Sequence, residues 1–287
     1  MIQITDLQTA LLDLLYELRD TGETIIVGGG YGIYLKMDHL RRTAERTLLE
    51  EWPEPRATND LDLFLRPELL IESEKLKPLA EALKSLGYEV VPSAKHYQFI
   101  RLGPNADEAG SLKIDILTGP RSRFAGTKVK ADSRRAKPNP SVGIHAHPVE
   151  EALGLEEELL SITLAGDLSS GDAWETEVML PQPYTFALMK LFAFRDRLND
   201  KNKEFGRYHA LDLYTILATT TEQEWDQAMK LKDVHGKDPI ISEAGRLVAD
   251  YFTGPDQLGM IRMQESIYFK SSLQIEDFIG ALKDLFL

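Results

Sequence analysis

Cysteine is absent from all 287 residues. Disulfides and thiolate metal sites are therefore excluded, and a reducing, cytoplasmic setting is expected. Long apolar runs are also missing, since no stretch approaches the roughly 18 uninterrupted apolar residues of a membrane span. The opening MIQITDLQTALLDLLYELRD lacks the basic and apolar regions of a signal peptide and reads as an amphipathic helix. Basic charge is scarce: 33 Lys and Arg against 46 Asp and Glu give a formal net charge of −13. That balance argues against a protein whose whole surface grips nucleic acid. No internal repeat or low-complexity tract is present. Apolar content is ample, at 43%, and the length allows one large domain or two modest ones.

Thr5 to Gln8 matches a capping box, followed by leucines 11, 14, 15 and 18 at helical spacing and by Gly22. TIIV then predicts a short strand running into the glycines of VGGGYG. Residues 31–50 read as a helix broken by prolines 53 and 55. LDLFL alternates like a strand, and Pro67 opens a predicted helix reaching Leu86, with Gly87 as its stop. YEVV, YQFIRL and SLKIDILTG are strand candidates, as are VGIHAH, SITLAG and ETEVMLPQ further on. From Pro183 the texture is helical, over roughly 183–199, 205–219, 221–232, 239–253 and 273–286, with a second capping box at Thr221 and Glu224. The order predicts an α+β fold: a mixed sheet with flanking helices over 1–180, then a helical domain over 181–287.

Carboxylates are the most informative feature. In PRATNDLDLFLRP, Asp60 and Asp62 stand two apart on a strand, so both face the same way. Two anions that close repel each other unless a cation holds them, and hard oxygen ligands suit Mg²⁺. Asp115, between Ile114 and Ile116, would be costly to bury unpaired. If its strand lies beside the first, the three acids could surround a pair of metal ions of the kind that clamps an in-line phosphoryl displacement. Three unrelated surface acids is the plainer alternative.

These residues resemble a known family. Nucleotidyltransferases of the DNA polymerase β-like fold carry paired glycines at a strand–helix turn, Asp-x-Asp on the next strand and a third Asp later. VGGGYGIYL, NDLDLFL and KIDIL occur here in that order. PRATNDLDLF is similar to the Arg-x-Thr-x-Asp-hydrophobic-Asp signature of the AbiEii/AbiGii toxin-like branch, which also carries a lysine on a later helix and an aspartate on the helix after it. FALMKLFAFRDR supplies Lys190 and RYHALDLYTIL supplies Asp212, with Tyr208-His209 where many members have Lys-Asp. The resemblance spans the motifs from about 24 to 217.

It implies a nucleotidyltransferase core followed by a helical domain contributing Lys190 and Asp212. Asp60, Asp62 and Asp115 would bind Mg²⁺, two ions in all, and Asp115 would orient or deprotonate the attacking hydroxyl. Gly28 and Gly29 would admit the phosphates of an NTP to the helix start, and bulk at either would cut NTP affinity while sparing the fold. Arg56 and Thr58 precede the acids; Arg56 would grip phosphate or else form an ordinary surface pair. Lys190 would meet nucleotide phosphate or Asp212, or else snorkel to solvent.

The implied reaction moves an NMP from an NTP to an acceptor, which in the family can be RNA such as a tRNA end. Members often act as toxins paired with an antitoxin protein. The segment 119–141 holds seven Lys or Arg and one acid: Arg121, Arg123, Lys128, Lys130, Arg134, Arg135 and Lys137 against Asp132. It reads as a loop or hairpin able to grip RNA, with a solvated loop as the alternative. His145 and His147 read as structural.

Two other classes compete with a transferase. One is a non-catalytic nucleotide-binding or protein-interaction descendant of the fold. The other is a dinucleotide-binding oxidoreductase, but Ile33 stands where the third glycine of G-x-G-x-x-G belongs, and no Gly-Lys-Ser/Thr follows to make a P-loop.

Overall fold

A computed structural model describes residues 4–56, 58, 60–103, 110–200 and 203–287, of which 203–205 by backbone alone. Positions 57 and 59, the two variable places of the Arg-x-Thr-x-Asp signature, lie outside the described residues. The fold is α+β. The chain forms two compact units: Met1–Gly32, Ala57–Glu150 and Leu160–Leu180 make the first, and Ile33–Arg56, Glu151–Leu159 and Pro181–Leu287 the second.

The first unit is built on a mixed sheet. Its strands are β1 (Ile25–Val27), β2 (Asp60–Leu65), β3 (Glu89–Val90), β4 (Gln98–Arg101), β5 (Leu112–Thr118), β8 (His147–Pro148), β9 (Leu160–Asp167) and β10 (Ala173–Leu180). The order is β3-β4-β5-β2-β1-β10-β9, with β8 pairing against β5. β2 and β5 run parallel, as do β1 and β10, while β1 with β2 and β4 with β5 are antiparallel. Helix α1 (Ile4–Leu18) buries Leu7, Leu11, Leu14 and Leu18 against the sheet. A separate hairpin, β6 (Lys130–Ala131) with β7 (Ala136–Lys137), occupies the basic segment.

The second unit is helical. It holds most of α2 (Gly29–Thr43), then α5 (Pro183–Asp196), α6 (Lys203–Ala218), α7 (Glu222–His235), α8 (Pro239–Tyr251), α9 (Leu258–Gln264) and α10 (Ile275–Phe286). Helix α5 is buried on nearly every side, and Phe192 and Phe194 are fully enclosed. The capping box of α7 forms as its sequence predicts, with Thr221 and Glu224 exchanging hydrogen bonds.

Four local expectations are corrected. Thr5 is the second residue of α1 and so cannot cap it. α2 stops at Thr43, because Ala44 takes a left-handed φ of 55° and the chain pairs Thr47 with Thr221 instead. The single helix expected over 67–86 divides into α3 (Pro67–Ile71), a 3-10 turn at Ser73–Leu76 and α4 (Lys77–Ser85). Pro78 lacks the N–H that a continuous helix would need there, and it is tolerated only in the first turn of α4. Helix α9 was not foreseen, since seven residues are too few for a reliable period.

Candidate active site

Strand register assembles the carboxylates in the first unit. Asp62 on β2 lies directly opposite Asp115 on β5, and Asp60 opposite Lys113. Side chains two apart on a strand share a face, so Asp60, Asp62 and Asp115 point to the same side of the sheet. On the far flank Gln98 of β4 is opposite Asp115, and its amide donates to Asp115 Oδ1 at 2.6 Å. On the near flank the Gly28 N–H donates to the Asp62 carbonyl at 2.8 Å. One row therefore crosses four adjacent chain segments: Gln98, Asp115, Asp62, Gly28.

The glycines serve this row. Gly29 opens α2 with φ +62°, and a Cβ there would sit 1.7 Å from Asp62 Oδ2. A Cβ on Gly28 would meet the Phe64 ring at 2.6 Å. The missing side chains thus clear room for the Asp62 carboxylate at the start of α2 and for a core aromatic ring. A helix N-terminus favours negative charge, so the carboxylate sits at the end of α2 suited to it. The Asp62 carboxylate claims space at Gly29 that the sequence suggests for phosphate. Bulk at either glycine is expected from the sequence to spare the fold, whereas at Gly28 any side chain must displace a buried ring.

Asp115 is pushed up to about 7, first by burial and then by Asp62, with a smaller push from Asp60; the Gln98 amide opposes the rise. Partial burial and neighbouring carboxylates thus gather acidic oxygens on one face of the sheet. These donors, carboxylate oxygens on two adjacent strands, suit a hard divalent cation in kind and in sign. Among the described residues no three His, Asp or Glu side chains converge as a preformed cage. Mg²⁺ commonly uses one or two carboxylates and takes its other ligands from water and phosphate. Asp62 and Asp115 would hold such an ion, with Asp60 beside them.

The second unit holds its own ionic cluster. Arg56 grips Asp212 bidentately, Nε to Oδ1 and Nη2 to Oδ2, both at 3.0 Å. Lys190 of α5 donates to Asp212 Oδ2 at 2.7 Å. Lys190 and Asp212 are buried, and the Arg56 guanidinium lies over the Tyr208 ring at 5.3 Å. Burial alone would raise the Asp212 carboxyl, but Lys190 and Arg56 outweigh it and hold it well below the usual carboxylate range. His209, one turn before Asp212, is held neutral: burial, then Lys190, push it down to about 3. Its Nδ1 is buried without a hydrogen-bond partner among the described residues. The Phe186 and Phe194 flanks of Lys190 gave the sequence signal for its burial. In the sequence His209 stands out only as part of Tyr208-His209, the pair in place of Lys-Asp. Thr58 is half-buried.

The basic segment is divided in character. Arg121 pairs with Glu150 at 2.5 Å and Arg123 with Glu68 at 3.3 Å. Lys128, Lys130 and Arg134 are exposed and have no carboxylate partner among the described residues. Burial lowers His145 to about 4. Its Nδ1–H therefore donates to the Lys95 carbonyl at 2.8 Å, which makes it a structural tie.

Comparison with known proteins follows the fold. The chain is similar to a solved antibiotic-resistance factor. That protein, ANT(2'')-Ia, is described by a solution structure said to reveal substrate-regulated conformation dynamics; identity is 12%, the likeness covers 82% of this chain and 99% of that one, and the TM-score is 0.37. No family model and no curated protein matches the chain in sequence. Among the described residues no helix is long and apolar enough to cross a membrane.

Proposed function

We propose that the chain is a Mg²⁺-dependent nucleotidyltransferase that moves a nucleoside monophosphate from an NTP to an acceptor hydroxyl. The observation that carries this reading is the row Asp115–Asp62–Gly28, with the Asp62 carboxylate seated over Gly29 at the start of α2. Bound Mg²⁺ would neutralise the triphosphate and stabilise the charge that develops on the departing oxygen. Asp62 and Asp115 would hold the ion from adjacent strands. The backbone N–H groups at the start of α2 face the phosphate side. Asp115 would orient or deprotonate the attacking hydroxyl. That oxygen bonds to the α-phosphorus, the bond from the α-phosphorus to the α,β-bridging oxygen breaks, and pyrophosphate leaves. Gln98 positions Asp115 through its 2.6 Å hydrogen bond.

The acceptor in this reading is RNA. Lys128, Lys130 and Arg134, exposed and without a carboxylate partner among the described residues, in a chain of net charge −13, support it. A toxin role held in check by an antitoxin rests on the AbiEii-like sequence signature. A non-catalytic nucleotide binder is the competing class.

Incubation with each α-labelled NTP, Mg²⁺ and either total RNA or protein tests the proposal. Wild type should label RNA, and Asp62→Asn or Asp115→Asn should reduce labelling by about 10³-fold or more, the scale of losing a charge-stabilising group. Mg²⁺-dependent NTP binding with no transfer to either acceptor would favour the non-catalytic class. Equal labelling by the variants would end the assignment.

A further inference from the structure

The first unit also holds a cavity of about 260 Å³, lined by Asp13, Tyr16 and Glu17 of α1, Leu86, Arg101 of β4 and the turn at residues 168–170. It lies on the other face of the sheet from the carboxylates. Gln98 and Arg101 are three apart on β4, so when Gln98 faces Asp115, Arg101 faces the helix-covered side.

The wall of this cavity carries charges of both signs. The Arg101 guanidinium lies over the Tyr88 ring at 5.0 Å and donates a single long bond, 3.4 Å, to the Leu86 carbonyl. Among the described residues it has no carboxylate partner, although the chain holds 46 acids. The Tyr88 hydroxyl nearby is buried and lacks a hydrogen-bond partner among the described residues. Two carboxylates also line it, Asp13 and Glu17, four apart and hence on one face of α1. Asp13 is buried and is fixed by the Ser169 N–H at 2.9 Å and by the Ser169 hydroxyl. Glu17 is exposed and has no cation partner among the described residues. Leu86, Leu168 and the Tyr16 ring add apolar surface to the lining.

We propose that this cavity binds a small zwitterion of the amino-acid class. Its carboxylate pairs with the Arg101 fork, its ammonium with Glu17 and Asp13, and its hydrocarbon part lies against Tyr16 and the leucines. Arg is the side chain suited to planar, bidentate carboxylate recognition. The volume falls just below the usual range for drug-sized ligands, which fits a free amino acid better than a nucleotide. A nucleotide would also bring two or three negative charges against Asp13 and Glu17. The binding does not depend on the transferase reading.

The test is calorimetric titration of the full chain with each common L-amino acid. The best ligand is then compared with its deaminated acid and its decarboxylated amine. One amino acid should bind, and each half-charged analogue should bind about tenfold or more weakly, the scale of losing one charged hydrogen bond. Arg101→Gln and Glu17→Gln should weaken binding by a similar factor, and Arg101→Lys should recover part of it. Glu17 is exposed, so its variant reports on binding without a risk to folding. Failure of every amino acid to bind, equal binding by the deaminated acid, or unchanged affinity in Glu17→Gln would overturn the proposal.

Discussion

Asp115 couples the site to pH. Its folded value of about 7 lies above the ordinary 3.8. The folded chain therefore holds this proton more tightly than the unfolded chain does between about pH 4 and pH 7. Its contribution to stability falls as pH rises through that window and is fully lost above it. Asp115→Asn removes the penalty. It should leave the melting temperature unchanged near pH 4 and raise it by roughly 5 °C at pH 8. Mg²⁺ should narrow that gap by raising the wild-type melting temperature alone. A gap that is constant with pH would show that Asp115 is not held near neutrality. Gly29→Ala probes the same row from the other side. A left-handed alanine costs about 1–2 kcal/mol, and the added Cβ must push the Asp62 carboxylate away. The variant should remain folded by circular dichroism while losing the Mg²⁺-dependent rise in melting temperature. If it keeps that rise, Asp62 is not a ligand.

Elements differ in how plainly the sequence announces them. β2 and β5 were readable because alternating apolar residues flank each acid. Their pairing was not, since nothing local in LDLFL or KIDIL states which strand lies beside which. The consequence that matters, Asp62 opposite Asp115, is a long-range fact of register. Helix interruptions were legible in principle from Pro78, but the left-handed Ala44 that ends α2 carries no sequence mark. In the helical unit, α5 and α6 are joined by Lys190, Asp212 and Arg56. Removing Asp212 would leave two cations close together, one of them buried. Asp212→Ala should cost about 3–5 kcal/mol of stability, measured by urea unfolding. A loss of activity in that variant is thus no proof of a catalytic role. Since Asp212 lies far below the usual carboxylate range, its contribution is present above about pH 4 and fades as pH falls below that. An Asp212→Ala variant as stable as wild type would show that the two cations find other partners.

At the scale of the whole molecule, the second unit is assembled from three separate stretches of chain. Residues 33–56 bring Lys36, whose ammonium meets Glu224 Oε2 at 2.9 Å, and Leu48, whose N–H donates to the Thr220 carbonyl at 2.7 Å. A fragment of residues 181–287 lacks these partners and should be poorly folded when expressed alone, as judged by the dispersion of its NMR spectrum. A well-dispersed spectrum would show that the early segment is dispensable. The same discontinuity has a consequence on the ribosome. Arg56 and Lys36 emerge 156 and 188 residues before the carboxylates that hold them. At about 5–20 residues per second, that is a wait on the order of 10 to 40 s. Over that interval residues 33–56 lack their later partners Asp212, Thr220 and Glu224. A stretch of synonymous slow codons between positions 60 and 180 would lengthen that wait and should lower the yield of soluble protein.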